Sequence, residues 1–308
     1  MERKHLISDS QHGFRKGLSC ATNLIEFMDK VTAAVDGGLS VDIFYLDFAK
    51  AFDKVPRERL LSKLQAKGIS GDLLGWIGDW LDGRTQKVIC EGVLSENVSV
   101  ESGVPQGTVL GPPLFNVFID DIDEAAKNIE LLLKFADDTK GMKIIRGEED
   151  RKILQETLDD LFRWAEKWGM KFNLDKCKIM HVGKNNPGYK YTMGGADLME
   201  VEEEKDVGVL VNKSLKPAAQ CKKAANTAMA VLRQLTQNFH FRDRHIFIGL
   251  YKQYVRPHLE FSTPAWSPWL CGDKDTLEAV QRKAVKMVAG LVGTSYEERC
   301  RELKLDTL

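Results

Sequence analysis

Two acidic strand ends constrain this chain more than any other feature. Val41-Asp42-Ile43-Phe44-Tyr45-Leu46-Asp47-Phe48 is β-branched and aromatic, follows Gly37-Gly38, and reads as a buried strand ending at an acid. About 90 residues later, Leu131-Leu132-Leu133-Lys134-Phe135-Ala136 and Met142-Lys143-Ile144-Ile145 flank Asp137-Asp138-Thr139-Lys140-Gly141, which predicts a strand, an acidic turn and a strand.

The segments between and after them are mostly helical. Helices are expected over 57–67 and 72–82, the second with Leu73, Leu74, Ile77, Trp80 and Leu81 at helical spacing. Residues 85–100 read as a hairpin turning at Glu91-Gly92, and Pro112-Pro113 opens a helix running to about 127. The clearest amphipathic helix spans 148–168, with Ile153, Leu154, Leu158, Leu161, Phe162 and Ala165 on one face. A strand over 178–182 and short strands to 211 follow, then helices over 218–235, 242–254 and 276–291. The whole predicts an α+β fold in which helices cover one face of an antiparallel sheet. Trp164, Trp168, Trp266 and Trp269 are expected in the core.

With 43% hydrophobic residues in 308, the chain can bury a sizeable core. A net charge of -1 carries no polyanion-binding signal, so any basic surface must be local. The six cysteines lie far apart without a C-x-x-C pair, which argues against a zinc module and for reduced thiols. No apolar stretch reaches the roughly 18 to 20 residues of a membrane span or forms a signal segment, so the nucleus or cytoplasm is expected.

Should the sheet bring both acidic turns together, Asp47, Asp137 and Asp138 converge. At about 4 Å and an effective dielectric near 20, each like-charge pair costs on the order of 4 kcal/mol, so the cluster requires a cation. Hard carboxylate oxygens suit Mg²⁺ or Mn²⁺, and two such ions support nucleotidyl transfer. An Asp-Asp turn by itself is more often a solvated hairpin tip.

Neighbouring residues change that weighting. Phe44-Tyr45-Leu46-Asp47-Phe48-Ala49-Lys50-Ala51-Phe52-Asp53 resembles motif A of non-LTR retrotransposon reverse transcriptases. Gly103-Val104-Pro105-Gln106-Gly107-Thr108-Val109-Leu110-Gly111-Pro112 is similar to their motif B, and Phe135-Ala136-Asp137-Asp138 to their motif C. Ser10-Gln11-His12-Gly13-Phe14-Arg15 resembles the finger motif that precedes motif A. Trp168-Gly169-Met170-Lys171-Phe172-Asn173 through Lys176-Cys177-Lys178 resembles motif D, and Lys205-Asp206-Val207-Gly208-Val209 the primer-grip motif E. Tyr254-Val255-Arg256-Pro257-His258-Leu259-Glu260 and Leu277-Glu278-Ala279-Val280-Gln281-Arg282 resemble the helical segment that follows in jockey-like and chicken-repeat-like elements.

The resemblance implies a right-hand polymerase: partial fingers over 1–40, a palm over 41–212, and an α-helical thumb or connection over 213–308. It implies RNA-directed DNA synthesis, with Asp47, Asp137 and Asp138 as catalytic metal ligands for Mg²⁺ or Mn²⁺. Phe52 would be the steric gate against a ribose 2′-hydroxyl, with Phe48, Gln106 and Gly107 at the nucleotide. Lys176 or Lys178 would be the general acid for departing pyrophosphate, and Arg15 with Lys16 would contact template or triphosphate. The partners implied are an RNA template, a DNA primer and deoxynucleoside triphosphates. Lys222, Lys223, Arg233, Lys252, Arg256, Arg282, Lys283 and Lys286 would meet duplex phosphates. The family carries a longer basic finger region before the segment that starts here, so an N-terminal truncation is expected. The alternative is therefore a catalytically inactive, nucleic-acid-binding remnant, while an RNA-dependent RNA polymerase is disfavoured by the aromatic Phe52.

Overall fold

No helix is expected before residue 40, yet the computed structural model, which describes residues 6–239 and 242–308, opens on one. In α1 (Cys20–Asp36), Ser19 caps the start: its hydroxyl accepts from the Thr22 amide while the Thr22 hydroxyl accepts from the Ser19 amide. Leu24, Phe27, Val31 and Ala34 form its buried face.

β1 (Ser40–Leu46) is buried at every position. The short α2 (Ala51–Lys54) follows, then α3 (Arg57–Ala66) and α4 (Gly71–Leu81), close to the expected bounds. The hairpin comprises β2 (Thr85–Gln86), β3 (Ile89–Cys90), β4 (Val93–Leu94) and β5 (Val98–Ser99), with β2 pairing β5 and β3 pairing β4. Its tip, Glu91 at φ 50° and Gly92 at φ 84°, has the two positive φ values of a mirror-image hairpin turn. α5 (Gly111–Ile119) takes both prolines into its first turn and tightens into a 3₁₀ stretch over Asp120–Ala126, so the expected long helix is two pieces.

β6 (Leu131–Phe135) and β7 (Asp138–Ile145) are joined by Ala136 and Asp137 alone. The connection is thus shorter than the five-residue turn read from the sequence: Asp138 to Gly141 already pair as strand. Gly141 lies opposite Phe44, whose ring occupies the space a Cβ would need. α6 (Glu148–Trp168) and β8 (Lys178–Val182) match their predicted spans. β9 (Thr192–Met193), β10 (Ala196–Asp197) and β11 (Met199–Glu200) complete the first of two compact units, Met1–Glu202.

Its sheet has the order β11-β8-β1-β7-β6, antiparallel except between β11 and β8. Phe44 and Leu46 face a core built with residues of α3, α5 and α6, among them Leu60, Leu64, Phe115, Phe118, Leu158 and Leu161. Tyr45 points the other way, onto Phe27 of α1. Helices therefore lie on both faces of the sheet. That explains why β1 is buried at every position and shows no alternation of buried and exposed residues.

The second unit, Glu203–Leu308, begins with the hairpin β12 (Glu203–Asp206) and β13 (Val209–Asn212). The change of texture read near 212 falls after this hairpin, which is tied to α7 (Ala218–Asn238): Gln220 Oε1 accepts from the Leu210 amide at 2.9 Å and Lys223 Nζ donates to Gly208 O at 3.3 Å. The helix expected over 242–254 is α8 (Arg244–Leu250) followed by a π-helical turn over Tyr251–Val255, and it continues past the expected end into α9 (Arg256–Glu260). Pro257 lacks the amide that would continue a regular ladder there. α10 (Cys271–Lys286) starts and ends five residues earlier than expected, and α11 (Tyr296–Leu303) is capped by Ser295 with Glu298. Trp266 is buried, but Trp269 is 60% exposed and is not a core residue. No described helix is long and apolar enough to cross a membrane.

Candidate active site

Asp47 is the first residue beyond β1. Since Leu46 pairs with Thr139, the register carries Asp47 alongside Asp138, next to the Ala136-Asp137 connection. The other flank of Asp47 is held by the segment leading into β8: the Asn173 amide donates to Asp47 O at 2.8 Å and the Ala49 amide to Lys171 O at 2.8 Å. Phe48 stacks on Phe172 with ring centroids 4.3 Å apart. Lys176, in a 3₁₀ turn over Leu174–Lys176, brings its Nζ within 3.2 and 3.4 Å of the two Asp47 carboxylate oxygens. Burial raises the pKa of Asp137, and the Asp47 charge adds to that rise, against the opposing pull of a backbone hydrogen bond and Lys176. The charge of Asp47 thus reaches Asp137 across the sheet end.

The loop before α5 packs directly on the segment after Asp47. Gly103, at φ 90°, donates to Val55 O at 2.8 Å, and a Cβ there would lie 2.8 Å from the Asp53 backbone and from Phe52 O. No residue with a side chain fits that approach. The Val104 amide donates to Phe52 O at 2.8 Å, and Ser102 Oγ to Asp53 O at 2.8 Å. Arg84 closes the loop from behind by donating to Gly103 O at 2.6 Å. The half-buried Phe52 ring lies parallel to Phe115 at 4.4 Å, with the exposed Phe14 edge-on at 6.3 Å. The Gln106 side-chain amide, in solvent, donates to Asp53 Oδ1 at 3.2 Å. Gly107 adopts φ 76° beside it, with open space where a Cβ would stand.

Some expected site residues are placed otherwise. Phe48 is only 3% exposed, packed between Phe172 and Trp164, so its ring belongs to the core and does not line a nucleotide site. Arg15 is folded onto its own segment, donating to Ser8 O at 2.6 Å and Gln11 O at 3.3 Å, because the tight turns there leave those carbonyls in its reach. Of the two candidate lysines it is Lys176 that reaches Asp47, whereas Lys178 lies within β8 opposite Tyr45. Among the described residues no three His, Cys, Asp or Glu side chains are gathered so as to hold one ion. The Asp47 charge reaches Asp137, the Lys176 ammonium lies beside Asp47, and Asp138 opens β7 in an exposed position.

One residue at the site was missed. Gln11 is 1% exposed and its side-chain amide bonds both backbone groups of Ala136. The sequence signal was its place in the Ser10-Gln11-His12-Gly13-Phe14-Arg15 run that resembles the finger motif, from which only Arg15 was drawn as a site residue.

The family model described as reverse transcriptase (RNA-dependent DNA polymerase) matches residues 1–232. Among similar proteins are the RNA-directed DNA polymerases from mobile element jockey of Drosophila funebris, 26% identical over 96% of this chain and 33% of that protein, and of Drosophila melanogaster, 24% identical over 96% and 32%. The chain spans about a third of the length of these relatives. Among solved structures, apo telomerase from Candida tropicalis superposes with a TM-score of 0.52 at 13% identity, covering 95% of this chain and 48% of that one. The telomerase of Candida albicans, solved with a fragment of telomeric RNA, gives 0.50 at 12% identity over 100% and 56%. These likenesses bear out the right-hand polymerase fold and the kinship with jockey-type elements read from the motifs: the chain belongs to the reverse transcriptase, or RNA-dependent DNA polymerase, family.

Proposed function

We propose that this chain is the core of an RNA-directed DNA polymerase that extends a DNA primer on an RNA template. The observation that carries the reading is the pairing of β1 with β7, which brings Asp47 to the turn that holds Asp137, where the Asp47 charge reaches Asp137. In the reaction the primer 3′-hydroxyl loses its proton and bonds the α-phosphorus of a deoxynucleoside triphosphate. The bond to the β-phosphate breaks and pyrophosphate leaves.

Asp47 and Asp137, with Asp138 beside them, would hold Mg²⁺ or Mn²⁺. The donor set fits, since the oxygens are hard and a cation offsets the burial, and beside it the Asp47 charge, that raise Asp137. Bound there, such ions supply charge stabilisation for the attacking and leaving oxygens. Lys176, now on Asp47, is placed to pass to the departing pyrophosphate and protonate it. Phe52, backed by Phe115, would bar a 2′-hydroxyl, and Gln106, steadied by Asp53, would meet the nucleotide. In this reading 1–40 contributes to fingers, 41–212 to the palm and 213–308 to a thumb-like region.

Primer extension on an RNA template tests the proposal. The chain should add deoxynucleotides in Mg²⁺, and Asp137→Asn should lose on the order of 10³-fold in rate, as for other losses of focused charge at a reacting centre. Equal incorporation by both proteins would refute it.

A further inference from the structure

The connection between β6 and β7 is only two residues long, and such hairpins need positive φ at their first central position. Glycine is the usual occupant. Here it is Ala136, at φ 56°, a conformation in which an L-residue's Cβ crowds its carbonyl. Ala136 is 7% exposed, so its amide and carbonyl are withdrawn from water, and a turn residue has no ladder partner for either.

Gln11 supplies both partners. Its Nε2 donates to Ala136 O at 3.1 Å, and its Oε1 accepts from the Ala136 amide at 2.9 Å and the Gly13 amide at 2.8 Å. The clamp is itself held. Gln11 bridges alongside Lys134, whose amide donates to Ser10 O at 2.7 Å and whose carbonyl accepts from the His12 amide at 2.9 Å. Gly13 O accepts from Asn116 Nδ2 of α5 at 2.8 Å, and a Cβ on Gly13 would run into the Ala136 amide. A buried polar chain thus runs from Asn116 through Gly13 and Gln11 to the residue before Asp137. Every polar group of the Gln11 side chain is bonded within it, and a buried, satisfied amide of this kind favours one conformation, whereas Asn116 contributes only its Nδ2.

We propose that Gln11 is a positioning residue of the polymerase site: its amide fixes Ala136 in the conformation that aims the Asp137 carboxylate, so it sets the rate of nucleotide addition without touching substrate. The proposal rests on the polymerase reading for its rate effect, and on the hydrogen bonds alone for the clamp.

The test uses the purified chain and three variants. Gln11→Met keeps the length and apolar bulk of the side chain but removes its hydrogen bonds, Gln11→Ala removes both, and Gly13→Ala pushes on the clamp from the other side. Hydrogen exchange should show lost protection confined to residues 135–138 in Gln11→Met, with β1 and α6 unchanged. Single-turnover addition should slow by about 10²-fold, the scale of an ångström's misplacement of a reacting group. Affinities for deoxynucleotide and primer-template should stay within about twofold, which separates positioning from binding. Gly13→Ala should reproduce the pattern. Wild-type exchange and rate in Gln11→Met would overturn the proposal, as would protection lost evenly across the sheet together with duplex binding. If the wild-type chain adds no nucleotide, the polymerase reading fails, while exchange at Ala136 still upholds or refutes the clamp.

Discussion

A single aromatic ring carries the sugar choice in this account. Phe52 has one face stacked on the buried Phe115, so its edge cannot swing away from an incoming sugar. Phe52→Val should therefore raise ribonucleotide incorporation relative to deoxynucleotide by about 10²-fold, the range that steric pocket changes reach. Competing-nucleotide primer extension measures it, and unchanged selectivity in a folded variant removes Phe52 from the role. At this scale the sequence was legible for position along the chain: Asp47 follows the end of β1 and Asp137 stands in the turn between β6 and β7, as their neighbours implied. It misled where direction matters. Phe48 follows a site residue by one step along an extended chain, and that step turns its ring into the core. Gln11 was missed because its partner, Ala136, is distant in sequence and offers only backbone groups.

Among elements, the contact of α3 with α5 and α6 contains a charge that can be titrated. Lys63 of α3 is buried, donating to Phe118 O at 2.6 Å and Asp121 Oδ1 at 2.5 Å, with Trp168 3.6 Å from its Nζ. Burial lowers its pKa to about 8, against the raising pull of Asp121. Between that value and the ordinary 10.5 the folded chain binds fewer protons than the unfolded one, so the Lys63 contribution to stability rises with pH across the window. Fully expressed, the change is about 3 kcal/mol. Denaturant titrations should show wild type improving relative to Lys63→Met from pH 8 towards 10, and a pH-independent difference would contradict this. Helices with strong periodicity, such as α6, were legible to the residue. α1 was not, although Ser19 and Thr22 form a capping box, because its apolar face meets the sheet side opposite the main core and the residues before β1 read as fingers. The π-helical turn between α8 and α9 was hidden because a change of hydrogen-bond register leaves no mark in the apolar spacing.

For the whole molecule, a net charge of -1 means that duplex binding must come from local basic faces. Several expected bases are committed within the second unit: Lys223 to Gly208 O, Lys252 to Lys304 O, and Arg256 to Glu260. Lys222 and Arg233 on α7, and Lys283 and Lys286 on α10, are exposed. Replacing Lys283 and Lys286 by alanine should reduce the slope of log affinity for an RNA-DNA duplex against log salt by about 1 per lysine, and an unchanged slope would take these helices out of the interface. The order of motifs made the polymerase fold legible, whereas the sheet register that joins Asp47 to Asp137 required coordinates. That junction is tested most directly by crystals of the chain soaked in Mn²⁺. Anomalous density should appear bonded to the carboxylates of both Asp47 and Asp137, with Lys176 displaced from Asp47. Density at neither carboxylate, with the Lys176 to Asp47 ion pair intact, would contradict it.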